Sequence, residues 1–230
     1  MTPLRAHASP GPVPKNERSF NSPERKSSGG KGRRGTDKRE RILRAAIKVF
    51  ARKGFYATRV SEIAKAAGVA DGTIYLYFEN KDDVLVSIFE DRITKLLAVL
   101  RSEIDGAETF DEKLRVVVER QLGLLEGQRD LAEVVTVNLR QSSRLLKQYA
   151  APLFTEYLDL IASVIALGQA EGIVDPELSP RIVATGLWGA LDGIALTWAL
   201  GGKSTKPEAL RRGASQIASV FLAGVRRERP

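Results

Sequence analysis

The segment from Val60 to Phe78 constrains the fold more than any other stretch of this 230-residue chain. Val60, Ile63, Ala64 and Ala67 recur at spacings of three and four, so they share one face of a short helix. Gly68 follows where a chain leaves a helix in the left-handed conformation, and Val69 is placed to plug the gap between helices. A third helix is expected from Asp71-Gly72-Thr73 to Phe78, with Ile74 and Phe78, four apart, turned inward. Ala64 and Ala67 are small enough for the two helices to cross closely. That is a helix-turn-helix, and its second helix leaves Asp71, Gly72, Thr73, Tyr75 and Tyr77 at or near an exposed face. The geometry suits insertion of the second helix into a DNA major groove.

Charge is placed to match. Formal net charge is +8, and Lys38, Arg39, Arg41, Arg44, Arg59, Lys65 and Lys81 surround the motif, whereas residues 102–112 are net acidic. Phosphate contacts are expected from Arg44, Arg59, Lys81 and the other cations, from the Thr58 hydroxyl and the tyrosines, and from helix N-termini. Direct base readout is sparse. Thr73 and Tyr75 can reach base edges or thymine methyls, but no Arg or Gln in the second helix offers a bidentate contact, so DNA shape is expected to carry part of the specificity. Taken alone, Tyr75 and Tyr77 read as packing aromatics. The combination of spacing, turn and charge is what favours DNA.

The rest of the chain reads as helix, giving an all-α fold of about nine helices. Residues 1–36 are rich in Pro, Gly, Ser, Lys and Arg and are expected to be a disordered basic tail, either solvated or tracking DNA phosphates. A first helix is expected from Asp37 to Lys53-Gly54, with Ile42, Ala46, Val49 and Phe50 inward. Residues 37–84 then form the DNA-binding domain (motif about 59–78), and residues 85–230 a ligand-binding and dimerisation domain. In that second domain Asn80 caps a long helix to about Asp105, and Thr109-Phe110-Asp111-Glu112 is a capping box opening a helix to about Glu126. Helices follow over about 128–140 and 142–171, the latter bending at Pro152 and stopping at Gly172. Ser179-Pro180 opens an apolar helix to Leu200, and Thr205 to Glu208 opens the last, to about Val225.

Composition narrows the chemistry. There is no cysteine, which excludes disulfides, zinc-thiolate sites and thiol nucleophiles. The single histidine, His7, lies in the tail, so no catalytic residue and no metal site is expected, and an enzyme is disfavoured. No apolar run reaches the roughly 18–20 uncharged residues of a membrane span, and no secretory h-region is present, so a cytoplasmic location without membrane contact is expected.

The stretch RILRAAIKVFARKGFYATRVSEIAKAAGVADGTIYLYFENKDDVLVSIFE, Arg41 to Glu90, resembles the DNA-binding domain of the TetR family of bacterial repressors. The segment Gly68 to Phe78 carries the resemblance most specifically. It implies a homodimer whose two recognition helices enter successive major grooves of a palindromic operator, with Thr58, Thr73, Tyr75, Tyr77 and Lys81 on DNA. Arg59 departs from the pattern, where a threonine is frequent, and takes away the usual hydroxyl cap. Residues 69–78, Asn138-Leu139-Arg140-Gln141-Ser142 and Gly189 to Trp198 resemble the FadR-type branch. That branch implies control of fatty-acid degradation genes and release from DNA by a long-chain acyl-CoA effector, with no other cofactor.

An acyl effector needs an apolar tunnel. Trp188 and Trp198, with Gly186, Gly189 and Gly193 leaving room, are candidate linings, opposite Val134, Val137, Leu153, Phe154, Leu158 and Ile161. A dozen buried methylenes contribute roughly 9–10 kcal/mol before the costs of binding. Arg140, Arg144, Lys147, Arg92 and Lys95 are candidate cations for a CoA head, with Gln141 and Tyr149 beside them, and Asp192 is expected to pair with Arg140. The same apolar helix reads equally as bundle core or dimer interface. Two other functions stay open: a TetR-type repressor sensing another lipophilic ligand or drug, and a helical acyl-CoA- or lipid-binding protein with no DNA role.

Overall fold

The computed structural model describes residues 31–138, 151–201, 206 and 208–227. Among these, nine α-helices carry the fold and the only β pairing is an isolated bridge. Helix α1 (Lys31–Lys53), α2 (Val60–Ala67) and α3 (Asp71–Ile74) form the N-terminal unit. Helix α1 begins at Lys31 rather than Asp37, so residues 31–36 belong to a helix and not to the tail. The inward face from Ile42 to Phe50 is fully packed. Once that part is anchored, each further residue gains a hydrogen bond for one restricted backbone, and no proline lies between Lys31 and Lys53 to stop it.

Helix α4 (Lys81–Gly106) spans 26 residues, about 39 Å, and leads from the N-terminal unit into the larger domain. Asn80 caps it, its side chain accepting from the Asp83 N–H at 2.9 Å, and Asp82 and Asp83 lie in the first turn as the helix dipole favours. Helix α5 (Phe110–Gly123) starts with the expected box: Thr109 Oγ1 accepts from Glu112 N–H and the Glu112 carboxylate accepts from Thr109 N–H. Those bonds hold the Glu112 carboxyl below its ordinary pKa.

Helix α6 (Arg129–Glu133) is short and passes into a π-helical stretch, Val134–Asn138, where a regular helix was expected to run on to about 140. The cause lies in Val134, Val135, Thr136 and Val137. β-Branched side chains crowd a regular α turn, and Thr136 Oγ1 donates to Ala132 O at 2.7 Å, competing for a ladder acceptor. Helices α7 (Ala151–Ala170), α8 (Pro180–Leu200) and α9 (Glu208–Gly224) complete the bundle. Helix α7 packs on α8, α9 on α5 and α8, and α4 on α5 and α7. The α6–π segment packs on both α1 and α8 and so joins the two domains.

Gly172 closes α7 at φ +71°. The chain that follows is tied to the C-terminal segment by Asp175 N–H to Val225 O and Arg227 N–H to Ile173 O, each 3.0 Å. Helices α7 and α8 are long and apolar enough to cross a membrane by length and composition alone. Here they pack against each other, and their sequences include Glu156, Asp159, Arg181 and Asp192.

Candidate nucleic-acid interface and effector core

The helix-turn-helix packs as its spacing requires. Ile63, Ala64 and Ile74 are fully buried, with Ala67 and Phe78 nearly so. Gly68 adopts φ +63°, a conformation that costs a side-chain-bearing residue, and the Val69 N–H closes the turn onto Ala64 O at 3.0 Å. The second helix is shorter than expected. Regular α-helix ends at Ile74, and tight turns carry the chain through Phe78, with Leu76 N–H on Thr73 O and Tyr77 N–H on Ile74 O. Three of the four residues from Tyr75 to Phe78 are aromatic and have only modest helix propensity, and Asn80 starts the next helix at once.

This end of the molecule exposes Arg44, Arg59, Lys65, Asp71, Gly72 and Tyr75, with Thr73 and Tyr77 half-buried. Two exposed residues went unassigned in the sequence. Leu76 is 79% exposed, the most of any large apolar side chain among the described residues, and Tyr56 is 69% exposed. The signal was present: once Ile74 and Phe78 turn inward, Leu76 between them must turn out. An exposed leucine beside a recognition turn suits contact with a thymine methyl.

Two expected DNA contacts are spent on the fold instead. Thr58 is 2% exposed, and its hydroxyl donates to Gly54 O at 2.8 Å. The Lys81 ammonium donates to Phe55 O at 2.8 Å, Thr58 O at 3.0 Å and Tyr56 O at 3.2 Å, and sits 4.5 Å from the Phe55 ring centroid. An ammonium has three protons, so none is left for a phosphate. Lys81 therefore pins the start of α4 to the loop between α1 and α2. Arg59 occupies the N-cap of α2 without a side-chain cap bond, since a guanidinium accepts nothing. Its backbone N–H is taken by the Glu62 carboxylate at 3.0 Å. The Lys53 ammonium, hydrogen-bonded to Glu62, and then the Arg59 N–H hold that carboxyl below its ordinary pKa. The Arg59 guanidinium stays exposed and available to a phosphate.

In the larger domain Phe154 meets Trp188 edge-on at 4.8 Å and stacks on Tyr157 at 6.4 Å. Tyr157 is buried, its hydroxyl donating to Gln121 Oε1, and burial pushes its pKa well above the usual phenol value. Val134, Leu158 and Ile161 are buried; Val137, Leu153 and Asp192 are half-buried. Arg140, Gln141, Arg144, Lys147 and Tyr149 lie outside the described residues. Arg92 and Lys95 share one carboxylate, Asp91, at 3.7 and 2.9 Å.

Two expected tunnel features also carry the packing of the bundle. Trp198 is buried for structural ends: its indole N–H donates to Lys206 O at 3.1 Å, and the Arg129 guanidinium lies 4.5 Å over its ring while donating to Trp198 O at 3.1 Å. That pair ties α6 to the last turn of α8. Gly186, Gly189 and Gly193 are exposed rather than turned to the core. With Gly189, Gly193, Ile194, Trp198 and Ala209 on its walls, a groove of about 440 Å³ runs along this outer face, so Trp198 and two of these glycines do share one recess. Ile182, Gly186, Gly189, Gly193 and Leu200 follow spacings of three, four and seven, the stripe of a helix that meets another helix side by side.

Residues 42–88 match the family of bacterial regulatory proteins called tetR, and residues 89–218 match the YsiA-like protein C-terminal region. The fatty acid metabolism regulator protein of Bacillus subtilis (strain 168) is 33% identical over 184 residues, covering 80% of this chain and 93% of the relative. Among solved structures, the fatty acid degradation regulator FadR from Bacillus halodurans is 34% identical with a TM-score of 0.74, over 81% of this chain and 99% of its own. FadR from Bacillus subtilis, solved in complex with stearoyl-CoA, is 32% identical with a TM-score of 0.74, over 81% and 98%. Both domains of this chain are thus accounted for together, and the chain belongs to the TetR family of bacterial regulatory proteins, DNA-binding transcriptional regulators rather than enzymes.

Proposed function

We propose that this protein is a cytoplasmic, homodimeric repressor of fatty-acid degradation genes that leaves a palindromic operator when a long-chain acyl-CoA fills its larger domain. One observation carries the reading: the similarity to a regulator solved with stearoyl-CoA extends over 81% of this chain, so the effector domain is included as well as the helix-turn-helix. The dimer is supported by the outward stripe on α8 and by exposed Ile182, Leu200 and Val220 on α8 and α9, an apolar surface that a second copy would cover. The operator face combines Arg44, Arg59 and the N-terminus of α3 for phosphates with Gly72, Thr73, Tyr75, Leu76 and Tyr77 near the bases.

Release follows from linkage. An effector weakens DNA binding only by favouring a conformer that docks poorly. Two connections are built for this. Helix α4 starts at the Lys81 pin on the loop that leads into the helix-turn-helix, and the α6–π segment touches both α1 and α8. A tilt of either changes the spacing of the two recognition turns in the dimer. A coupling of about 1–3 kcal/mol shifts operator affinity by about 5–150-fold.

The test is a gel shift on the operator recovered by random-oligonucleotide selection, titrated with acyl-CoA esters of increasing length. Release by long-chain esters is expected. Retention of the operator at every acyl-CoA would point to another lipophilic effector, and selection that enriches no palindrome would sink the DNA-binding half of the reading.

A further inference from the structure

Asn138 ends the π-helical stretch and is 2% exposed. Its Nδ2 donates to Glu133 O at 3.4 Å. Its Oδ1 is the one buried side-chain polar atom without a hydrogen-bond partner among the described residues. Exchanging nitrogen and oxygen does not cure this, because two acceptors would then face each other at Glu133. An unmet acceptor in the interior is costly, and structures keep few of them. The side chains before it on the same stretch give it no relief. Val134 and Val137 on the same stretch are apolar, and the neighbouring Thr136 hydroxyl is committed to Ala132 O. The π turn matters as well. It displaces Asn138 from the register a regular helix would give, and such turns are rare and frequently found at functional sites. The segment lies between α1 and α8, where an effector that alters operator binding must be felt.

We propose that Asn138 is a polar anchor of the effector site, its Oδ1 accepting a hydrogen bond from an amide N–H of the bound ligand. This rests on the acyl-CoA reading above and deepens it. A fatty carboxylate and a thioester offer only acceptors. The pantetheine arm of an acyl-CoA carries amide N–H donors, so an orphan acceptor selects the CoA ester over the free acid.

The experiment is calorimetric titration of the full chain, wild type, Asn138→Leu and Asn138→Ala, with palmitoyl-CoA and with palmitate, beside a thermal melt of each. Leucine keeps the branching and heavy-atom count of asparagine in a larger side chain and removes the unmet acceptor together with the long Nδ2 bond, so Asn138→Leu is expected to melt within a few degrees of wild type. Its palmitoyl-CoA affinity is expected to fall about tenfold, as for one lost hydrogen bond that also strands a ligand donor, while palmitate binding changes little. Unchanged palmitoyl-CoA affinity in both variants, an equal loss for both ligands, or a wild type that takes palmitate as tightly as palmitoyl-CoA would each overturn the assignment and leave Oδ1 a feature of the fold alone. A wild type that does not bind palmitoyl-CoA at all would instead overturn the effector reading, and the anchor with it.

Discussion

Lys81→Met separates two roles that the lysine at the start of α4 can play. In the structure its ammonium makes three hydrogen bonds, at 2.8, 3.0 and 3.2 Å, to the carbonyls of Phe55, Thr58 and Tyr56. Hydrogen bonds to a charged donor contribute roughly 1.5–3 kcal/mol each when buried. Lys81 is only half-buried, and water replaces part of what is lost, so the substitution is expected to cost about 2 kcal/mol in total. For a chain of this size that lowers Tm by about 4–8 °C. The loop that presents Arg59 and the start of α2 loosens, and operator affinity falls. The salt dependence tells the roles apart. A lysine on a phosphate contributes about 0.9 to the slope of log K against log salt, so losing one per protomer of a dimer would flatten the slope by about 1.8. The pin predicts weaker binding with an unchanged slope. Lys81→Arg sharpens the test, because a planar guanidinium keeps a phosphate contact but fits three converging carbonyls poorly. Fluorescence anisotropy on operator DNA across a salt series, with thermal melts, gives both quantities. A flattened slope with an unchanged Tm would refute the pin.

Three further outcomes are expected. Tyr75→Ala should weaken operator binding by about 1–3 kcal/mol per half-site while circular dichroism and dimer mass stay as in wild type, because the ring is 58% exposed and supports little of the core; unaltered affinity would count against the recognition turn. Gly168→Ala should destabilise by about 1–3 kcal/mol in a urea titration, since a Cβ there would lie 2.6 Å from Val174 Cγ2 and 2.7 Å from the Phe110 ring; a neutral substitution would mean that this contact gives way freely. Glu90→Gln tests a pH dependence. Burial, with Asp83 nearby, raises the Glu90 carboxyl pKa against the pull of Arg39. A raised folded pKa stabilises at low pH, and that stability is lost as pH climbs from the unfolded value, about 4.3, through the folded one. The variant should be more stable than wild type near neutral pH and should lose less stability across that window, as compared by melts at mildly acidic and neutral pH.

How much was legible beforehand depended on the range of the interaction. Local patterns stood in plain view: the i, i+3, i+4 face of α2, the glycine turn at Gly68, the Asn80 cap, the Thr109–Glu112 box and the Ser179-Pro180 start of α8 are all read from residues within one helical turn of each other. The helix-turn-helix belongs to this class, which is why the DNA-binding half was readable from residues 60–78 alone. Roles that depend on distant partners were not. Lys81 looks like a phosphate ligand until the loop at 54–58 folds back and takes its donors, a contact across 23 to 26 residues. Trp198 looks like a tunnel wall until Arg129, 69 residues away, lies over it. The glycines of α8 looked like space for a ligand, but helical rotation set them on the outer face. The π turn that buries Asn138 arises where a β-branched run meets packing against two other helices. A sequence states which face of a helix is apolar; which neighbour that face meets, and whether a polar atom is left unmet there, is decided only when all the helices are in place.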